Sequence, residues 1–145
     1  MRNSRSMRVL NRVAALSAAA CFVVAVAGCG KPSGPPTGKV FGKVTLDGKP
    51  LADAGIEFLP EHGRPSAART DQEGKYTLTY SLSQAGAALG THTVRITTGG
   101  ERPDPASGTM KNYPELVPAK YNTASQLKKE IKAGDNEIHF ELSGK

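Results

Sequence analysis

Side chains that could carry out chemistry are few and widely separated in this 145-residue chain. The three histidines, His62, His92 and His139, have no cysteine or second histidine beside them at the spacing of metal ligands, so we expect them to be surface or edge residues rather than ligands. Glu137 and Glu141 flank His139 at alternate positions, so the three side chains share one face of a strand and could bind a cation. Such a row is usually the solvated face of a strand, and no serine stands in a Gly-x-Ser-x-Gly context. The sequence therefore predicts no catalytic residue, no metal site and no cofactor.

The first 28 residues have the three parts of a secretory signal peptide. Four arginines precede an uncharged run of about 15 residues at 13–27, which is shorter than the ~20 residues of a membrane-spanning helix. The small residues Ala27 and Gly28 stand at the expected cleavage position. We therefore predict a signal peptide over 1–28 that begins at Met1 or Met7 and is cleaved after export by the general secretory route.

The sequence Val26-Ala27-Gly28-Cys29 resembles the lipobox of bacterial lipoproteins. In that family a dedicated signal peptidase recognises these residues, the cysteine sulfur carries diacylglycerol, and the cysteine becomes the new N-terminus. The resemblance implies a lipidated Cys29, stable attachment to a membrane through two or three acyl chains, and a place in the bacterial cell envelope. Glycine rather than aspartate follows the cysteine. Under the sorting rule of some bacteria with two membranes, this favours the outer membrane over the inner one.

The basic charge of the chain is concentrated in the predicted signal peptide. The whole sequence carries +6, but removal of residues 1–28 leaves 15 basic and 13 acidic residues, a net charge of +2. A near-neutral mature chain lacks the basic surface of a nucleic-acid-binding protein, so we exclude nucleic acid as a partner. Residues 29–38 are rich in proline and glycine and have no apolar period, which predicts a lipidated flexible tether.

From residue 39 onward, apolar and polar residues alternate with the period of half-buried strands. Short strands separated by turn residues predict an all-β antiparallel sandwich over 39–145. Residues 125–132 are expected to be the first arm of a hairpin whose second arm contains 137–142. The small-residue connection at 81–90 could hold a helical turn, and residues 99–118 are expected to form a long irregular loop.

Three segments in order resemble the carboxypeptidase regulatory-like domain: "GKVTLDGKPLADAGIEFLP", "ARTDQEGKYTL" and "GTHTVRIT". The resemblance spans residues 39–142 and implies a seven-stranded antiparallel β-sandwich of the transthyretin-like or Ig-like type. Asp71 is expected to close an Asx turn, and Gly74 is expected to adopt positive φ. The motif residues are expected to be structural; they are Gly42, Gly48, Pro50, Thr70, Asp71, Gly74 and Tyr76.

These features favour a non-enzymatic envelope lipoprotein whose sandwich is a structural or protein-interaction module. The alternative is a carbohydrate-binding envelope module, for which the candidate contacts are Tyr113, Tyr121 and Phe41 in a chain without tryptophan. A hydrolase or metal enzyme is the third possibility. The related hydroxyisourate hydrolases end in Tyr-Arg-Gly-Ser, which this chain lacks. The expected partners are a membrane, through the lipid, and an unidentified envelope protein or glycan.

Overall fold

The computed structural model describes residues 34–144, which form β-strands and one short 3-10 helix. The all-β fold predicted from the alternating pattern is confirmed. The 3-10 helix spans Ala119–Tyr121, between β11 and β12. The strands are β1 (Thr37–Leu46), β2 (Lys49–Pro50), β3 (Gly55–Pro60), β4 (Ser66–Arg69), β5 (Lys75–Thr77), β6 (Thr79–Ser81), β7 (Gln84–Ala85), β8 (Ala87–Ala88), β9 (Gly90–Thr97), β10 (Gly100–Pro103), β11 (Met110–Tyr113), β12 (Lys128–Ile131), β13 (Asp135–Glu137) and β14 (Phe140–Leu142).

Two sheets form the sandwich. In the first sheet, β1 pairs antiparallel with β2, β5 and β8 and parallel with β13 and β14. The second sheet has the order β12-β9-β3-β4-β6-β7. The hairpin of β10 and β11 is a separate two-stranded sheet. The predicted sandwich is therefore present, but the strands on β1 include two parallel partners as well as antiparallel ones.

The core is formed by the inward residues of the predicted alternation. Phe58, Tyr76 and Phe140 are its aromatic residues, and the Phe140 ring centroid lies 6.2 Å from that of each of the other two. Burial of every second residue removes the apolar face of each long strand from water. This hydrophobic burial is the main contribution to the stability of such a domain. The buried apolar residues are Val40, Val44, Leu51, Ala54, Ile56, Phe58, Tyr76, Leu78, Ala87, Val94, Ile96, Val117, Ile131, Phe140 and Leu142.

The expected hairpin of residues 125–142 does not form. β12 pairs with β9 in the second sheet, whereas β13 pairs with β1 in the first, so the connection at 132–134 crosses between the sheets. The crossing is held by the Asn136 amide, which donates to the carbonyl oxygens of Lys132 (2.8 Å) and Lys39 (3.2 Å). Gly134 completes the turn at φ 90°. Hydrogen bonds of the Asn136 side chain therefore hold the connection where the pattern predicted pairing between two hairpin strands.

Two connections are more ordered than the sequence indicated. Residues 99–118, expected to be irregular, contain the β10–β11 hairpin, and residues 81–90 contain β7 and β8 instead of a helical turn. Gly86 adopts φ 90°, and a Cβ there would lie 2.0 Å from the Gly38 carbonyl oxygen. This close approach brings β8 onto β1, which begins at Thr37, inside the segment predicted to be tether.

The predicted signal peptide, Cys29 and most of the predicted tether lie outside the described residues. Within residues 34–144, no helix is long and apolar enough to cross a membrane.

Candidate functional site

A surface hollow of about 480 Å³ lies on the outer face of the first sheet. Alternate residues of β1, Lys39, Phe41 and Lys43, face outward because Val40 and Val44 between them are buried. The Phe41 ring is half-buried, and the Lys39 Nζ lies 5.3 Å from its centroid. We call this surface the β1 hollow; its side chains include Lys39, Phe41, Lys43, Thr77, Glu137 and His139.

The charges around the β1 hollow are unevenly paired. Lys75 lies opposite Lys43 and forms an ion pair with Glu73, whose hydrogen bond and charge raise the pKa of Lys75. Within residues 34–144, neither Lys39 nor Lys43 forms an ion pair with a carboxylate. Lys39 and Lys43 therefore flank Phe41 along β1, and their positive charge is available to an incoming anionic group.

His139 at the hollow does not assemble the cation site considered from the sequence. Its Nδ1 accepts a hydrogen bond from the backbone N–H of Lys43 (3.1 Å), so the neutral ring carries its proton on Nε2. Nε2 lies 3.4 Å from Glu137 Oε1, whereas Glu141 pairs with Thr45 farther along β1. No group of three or more His, Cys, Asp or Glu residues in the described chain could hold a metal ion.

Gly42 and Tyr76, two of the motif residues predicted from the resemblance, both contact one carbonyl group. The Tyr76 hydroxyl donates a 2.8 Å hydrogen bond to the Ile138 carbonyl oxygen, and a Cβ at Gly42 would lie 1.8 Å from the same oxygen. Burial raises the pKa of Tyr76. Ile138 stands between β13 and β14, where the ladder on β1 is interrupted. The two motif residues therefore fix the path of the last strands across β1.

Thr70, Gly48 and Pro50 shape the neighbouring turns. The Thr70 hydroxyl donates to the Leu51 carbonyl oxygen (2.7 Å) and accepts from the backbone N–H of Ala54 (2.8 Å). Gly48 adopts φ 78° in the turn between β1 and β2, and Pro50 ends β2. One buried hydroxyl thus joins the start of β3 to the end of β4.

Asp71 and Gly74 form the turn that leads into β5. Asp71 Oδ1 accepts from the backbone N–H groups of Glu73 and Lys75, both at 2.9 Å. Gly74 adopts φ 75°, its carbonyl oxygen accepts from the Val44 N–H (2.8 Å), and a Cβ would lie 2.5 Å from the Val44 carbonyl oxygen. Asp71 and Gly74 therefore hold the chain close against β1, and the Asp71 carboxylate and the Gly74 carbonyl oxygen both accept hydrogen bonds from the backbone.

The two tyrosines predicted as glycan contacts lie on different elements, and both rings have partners. The Arg102 guanidinium lies 3.6 Å from the ring centroid of Tyr113 on β11. Tyr121, in the 3-10 helix, is half-buried against the core, and its hydroxyl accepts from the Ser143 N–H (3.2 Å). Phe41 differs from both because its ring forms part of an open hollow.

The β10–β11 hairpin, which the sequence did not indicate, is fixed at its base by Glu115. The carboxylate accepts from the Thr98 N–H (3.0 Å), the Thr98 hydroxyl (2.9 Å), the Gly99 N–H (3.3 Å) and the Val117 N–H (2.9 Å). Burial alone would raise the pKa of Glu115, but these hydrogen bonds outweigh it and lower the pKa. Arg102 of β10 also donates to the Thr98 carbonyl oxygen (2.8 Å).

The prediction that all three histidines lie at the surface or at an edge is wrong for His92. This residue is 1% exposed and occupies an inward position of β9, in line with Val94 and Ile96. Its Nε2 lies 2.7 Å from the Ala88 carbonyl oxygen, and its ring packs near Phe58 with centroids 5.9 Å apart. The hydrogen bond at Nε2 offsets part of the cost of burying this polar ring, whose Nδ1 is buried with no hydrogen-bond partner among residues 34–144.

Solved structures similar to this chain include two that align over about three quarters of its length. A DUF3823 family protein from Parabacteroides merdae ATCC 43184 shares 18% identity at a TM-score of 0.40, and the alignment covers 75% of this chain and 47% of that one. A 9R-lipoxygenase from Cyanothece PCC8801 shares 14% identity at a TM-score of 0.41, with 74% and 16% covered. This chain thus spans less than half the length of either protein. No family model and no curated protein matches the sequence.

Proposed function

We propose that this chain is a lipid-anchored, non-enzymatic module of the bacterial cell envelope that binds a protein partner through the β1 hollow. Its sandwich would be of the carboxypeptidase regulatory-like type. The anchoring is supported by the sequence Val26-Ala27-Gly28-Cys29, which ends five residues before Gly34, the first described residue. Gly30 after the cysteine favours the outer membrane.

The observation that carries the binding role is the half-buried Phe41 ring between Lys39 and Lys43 on one strand. A ring on a paired strand loses little conformational freedom on binding, because the backbone that carries it is already fixed. The two ammonium groups favour carboxylates beside the apolar contact. The expected partner is therefore a protein segment that presents an apolar side chain flanked by acidic residues.

Mass spectrometry of the N-terminal peptide tests the anchoring. The full chain, produced in a bacterium with lipoprotein processing, should begin at Cys29 and carry diacylglycerol on its sulfur. The matched variant Cys29→Ser should keep residues 1–28, because the sulfur that is modified is absent. An unmodified Cys29 in the wild-type protein, or cleavage at another position, would contradict the anchoring.

Photo-crosslinking in living cells tests the partner surface. A benzophenone amino acid at position 41 should form one discrete protein adduct, whereas the same probe at Ala67, exposed on β4 of the second sheet, should not. Lys39→Glu combined with Lys43→Glu should abolish the adduct by reversing the charge beside the ring. Equal adducts from both positions, or none from position 41, would refute the role of the β1 hollow. Glycan-array binding that Phe41→Ala removes would favour the carbohydrate alternative instead.

A further inference from the structure

Hydrogen bonds hold residues 35–37, where the described chain enters the sandwich; we call this segment the entry point. Gln84 Nε2 donates to the Pro35 carbonyl oxygen (2.9 Å) and lies 3.1 Å from the Thr37 hydroxyl oxygen, to which it also donates. The backbone N–H of Leu89 donates to the Pro36 carbonyl oxygen (3.2 Å). Residues 35–37 are therefore held between β7 and the segment that leads into β9.

Two exposed leucines stand beside this entry point. Leu82 is fully exposed, at 109%, and lies at the tip of the tight β6–β7 hairpin, two residues before Gln84. Leu89, 39% exposed, lines a hollow of about 360 Å³ together with Pro35, Pro36 and Tyr80. The apolar lining of this hollow, with Leu82 exposed on the adjoining hairpin, points to a binding contact, because exposure of apolar side chains to water is unfavourable.

The length of the preceding chain limits how far this end can lie from a membrane. Cys29 lies five residues before Gly34, and five residues of fully extended chain span at most ~18 Å. A lipid on Cys29 is buried at the bilayer surface. The end that carries Leu82 and Leu89 is thus confined near that surface, whichever way the rest of the domain points.

Nearby charges do not direct this end toward an anionic partner. The Arg64 guanidinium lies 5.5 Å from the Tyr80 ring centroid, and Glu61 in the same turn carries the opposite charge. The side chains that line the hollow at Leu89 are therefore mainly apolar, with Arg64 and His62 as the polar groups among them. This composition fits the interfacial region of a bilayer, where leucine and tyrosine side chains are favoured.

We propose that Leu82 and Leu89 insert into the surface of the bilayer and hold this end of the sandwich against it. The proposal rests on the proposed lipid anchor at Cys29. The occupant of the surface is lipid rather than a second protein, because the short tether keeps the leucines within reach of the bilayer at all times. The anchor alone would let the domain rotate, whereas two inserted side chains fix its orientation.

Leu116 provides a matched control at the other end of the sandwich. It is 58% exposed, and its backbone N–H donates to the Thr98 hydroxyl (2.7 Å). Leu89 immediately precedes the eight-residue strand β9 and Thr98 immediately follows it. At about 3.3 Å per residue the two ends are roughly 30 Å apart, so a leucine at position 116 should not reach the lipid.

The absence of tryptophan from the sequence allows a direct test of depth. The full chain is reconstituted into phosphatidylethanolamine–phosphatidylglycerol vesicles as the single variants Leu82→Trp, Leu89→Trp and Leu116→Trp. Lipids brominated in the acyl chains should quench most of the emission at positions 82 and 89, with a blue shift, and leave position 116 unquenched. Adding Leu82→Gln to the Leu89→Trp protein should weaken docking about tenfold, so its quenching falls toward that of position 116.

Vesicle flotation separates the two proposals. Protein that floats with vesicles but has an unquenched, iodide-accessible tryptophan at position 82 would refute docking and leave the anchor intact. Protein that does not float would overturn both the anchor and the docking that rests on it. A tryptophan at position 82 that is shielded from iodide without bromine quenching would assign the surface to a protein contact and refute lipid as its occupant.

Discussion

Substitution of Tyr76 by phenylalanine isolates one hydrogen bond in the centre of the first sheet. Tyr76 is 4% exposed, and its hydroxyl donates 2.8 Å to the Ile138 carbonyl oxygen. The substitution keeps the ring packing and removes only this donor. A buried carbonyl left without its donor costs about 1–3 kcal/mol, and because Ile138 is half-buried we expect the lower part, about 1–2 kcal/mol. For a domain of this size the melting temperature should fall by roughly 4–10 °C.

The same substitution has a signature at alkaline pH. Burial raises the pKa of Tyr76 above its ordinary value of 10.0. A group whose pKa is higher in the folded state contributes its full stability below its pKa in the unfolded state, here near pH 10.0, and loses it as the pH rises toward the folded pKa. The wild-type protein should therefore lose stability above pH 10.0 more steeply than Tyr76→Phe.

Urea unfolding followed by circular dichroism between pH 7 and pH 11 measures both effects. Tyr80→Phe is the matched control, because Tyr80 is half-exposed, under Arg64, and it should change stability by less than about 0.5 kcal/mol. Equal midpoints for wild type and Tyr76→Phe at pH 7 would refute the role of the hydrogen bond. Equal slopes above pH 10.0 would show that the hydroxyl is not held protonated by burial.

Two other substitutions test hydrogen bonds at the turns, each by urea midpoints. Thr70→Val should lower the free energy of unfolding by about 1–3 kcal/mol, because the Leu51 carbonyl and the Ala54 N–H lose their partner, and Thr70→Ser should retain most of it. Glu115→Gln should cost about 1 kcal/mol at pH 7, a value reduced for its exposure to solvent. The pKa of Glu115 is lowered by folding, so its contribution is present above the ordinary pKa of 4.5 and is lost as the pH falls further. The difference between the two proteins should therefore shrink as the pH falls below 4.5, and a constant difference from pH 7 to pH 3 would contradict this assignment.

The burial pattern was predictable because it depends on local information. In β9, Val94 and Ile96 face the core while Thr93 and Arg95 face outward, as their alternation indicates. Each residue of a half-buried strand is in contact with either water or the core, so a period of two is visible without knowledge of the neighbouring strand. The all-β architecture follows from several such segments in a short chain.

The choice of strand partner was not predictable in the same way. Alternation in β12 shows that Ile131 faces a core, but both sheets cover the same core and the pattern does not distinguish them. Which sheet each strand joins depends on Asn136, because its side-chain amide donates to the Lys132 and Lys39 carbonyl oxygens where the chain crosses between the sheets. The β10–β11 hairpin was missed because Arg102 and Tyr113 stabilise it through contact with each other, and that contact leaves no periodic signal.

The two proposed binding surfaces are those whose binding side chains have no hydrogen-bond or ion-pair role in the described part of the fold. Tyr76, Thr70 and Glu115 have hydrogen-bond partners within the described chain, and a ligand that engaged them would first have to break those bonds. In contrast, Lys39 and Lys43 of the β1 hollow have no carboxylate partner among residues 34–144, and Leu82 is fully exposed. Contact with a partner or with lipid costs these groups little and removes apolar area from water. Binding at the β1 hollow or at Leu82 and Leu89 should therefore gain more free energy than binding at Tyr76, Thr70 or Glu115.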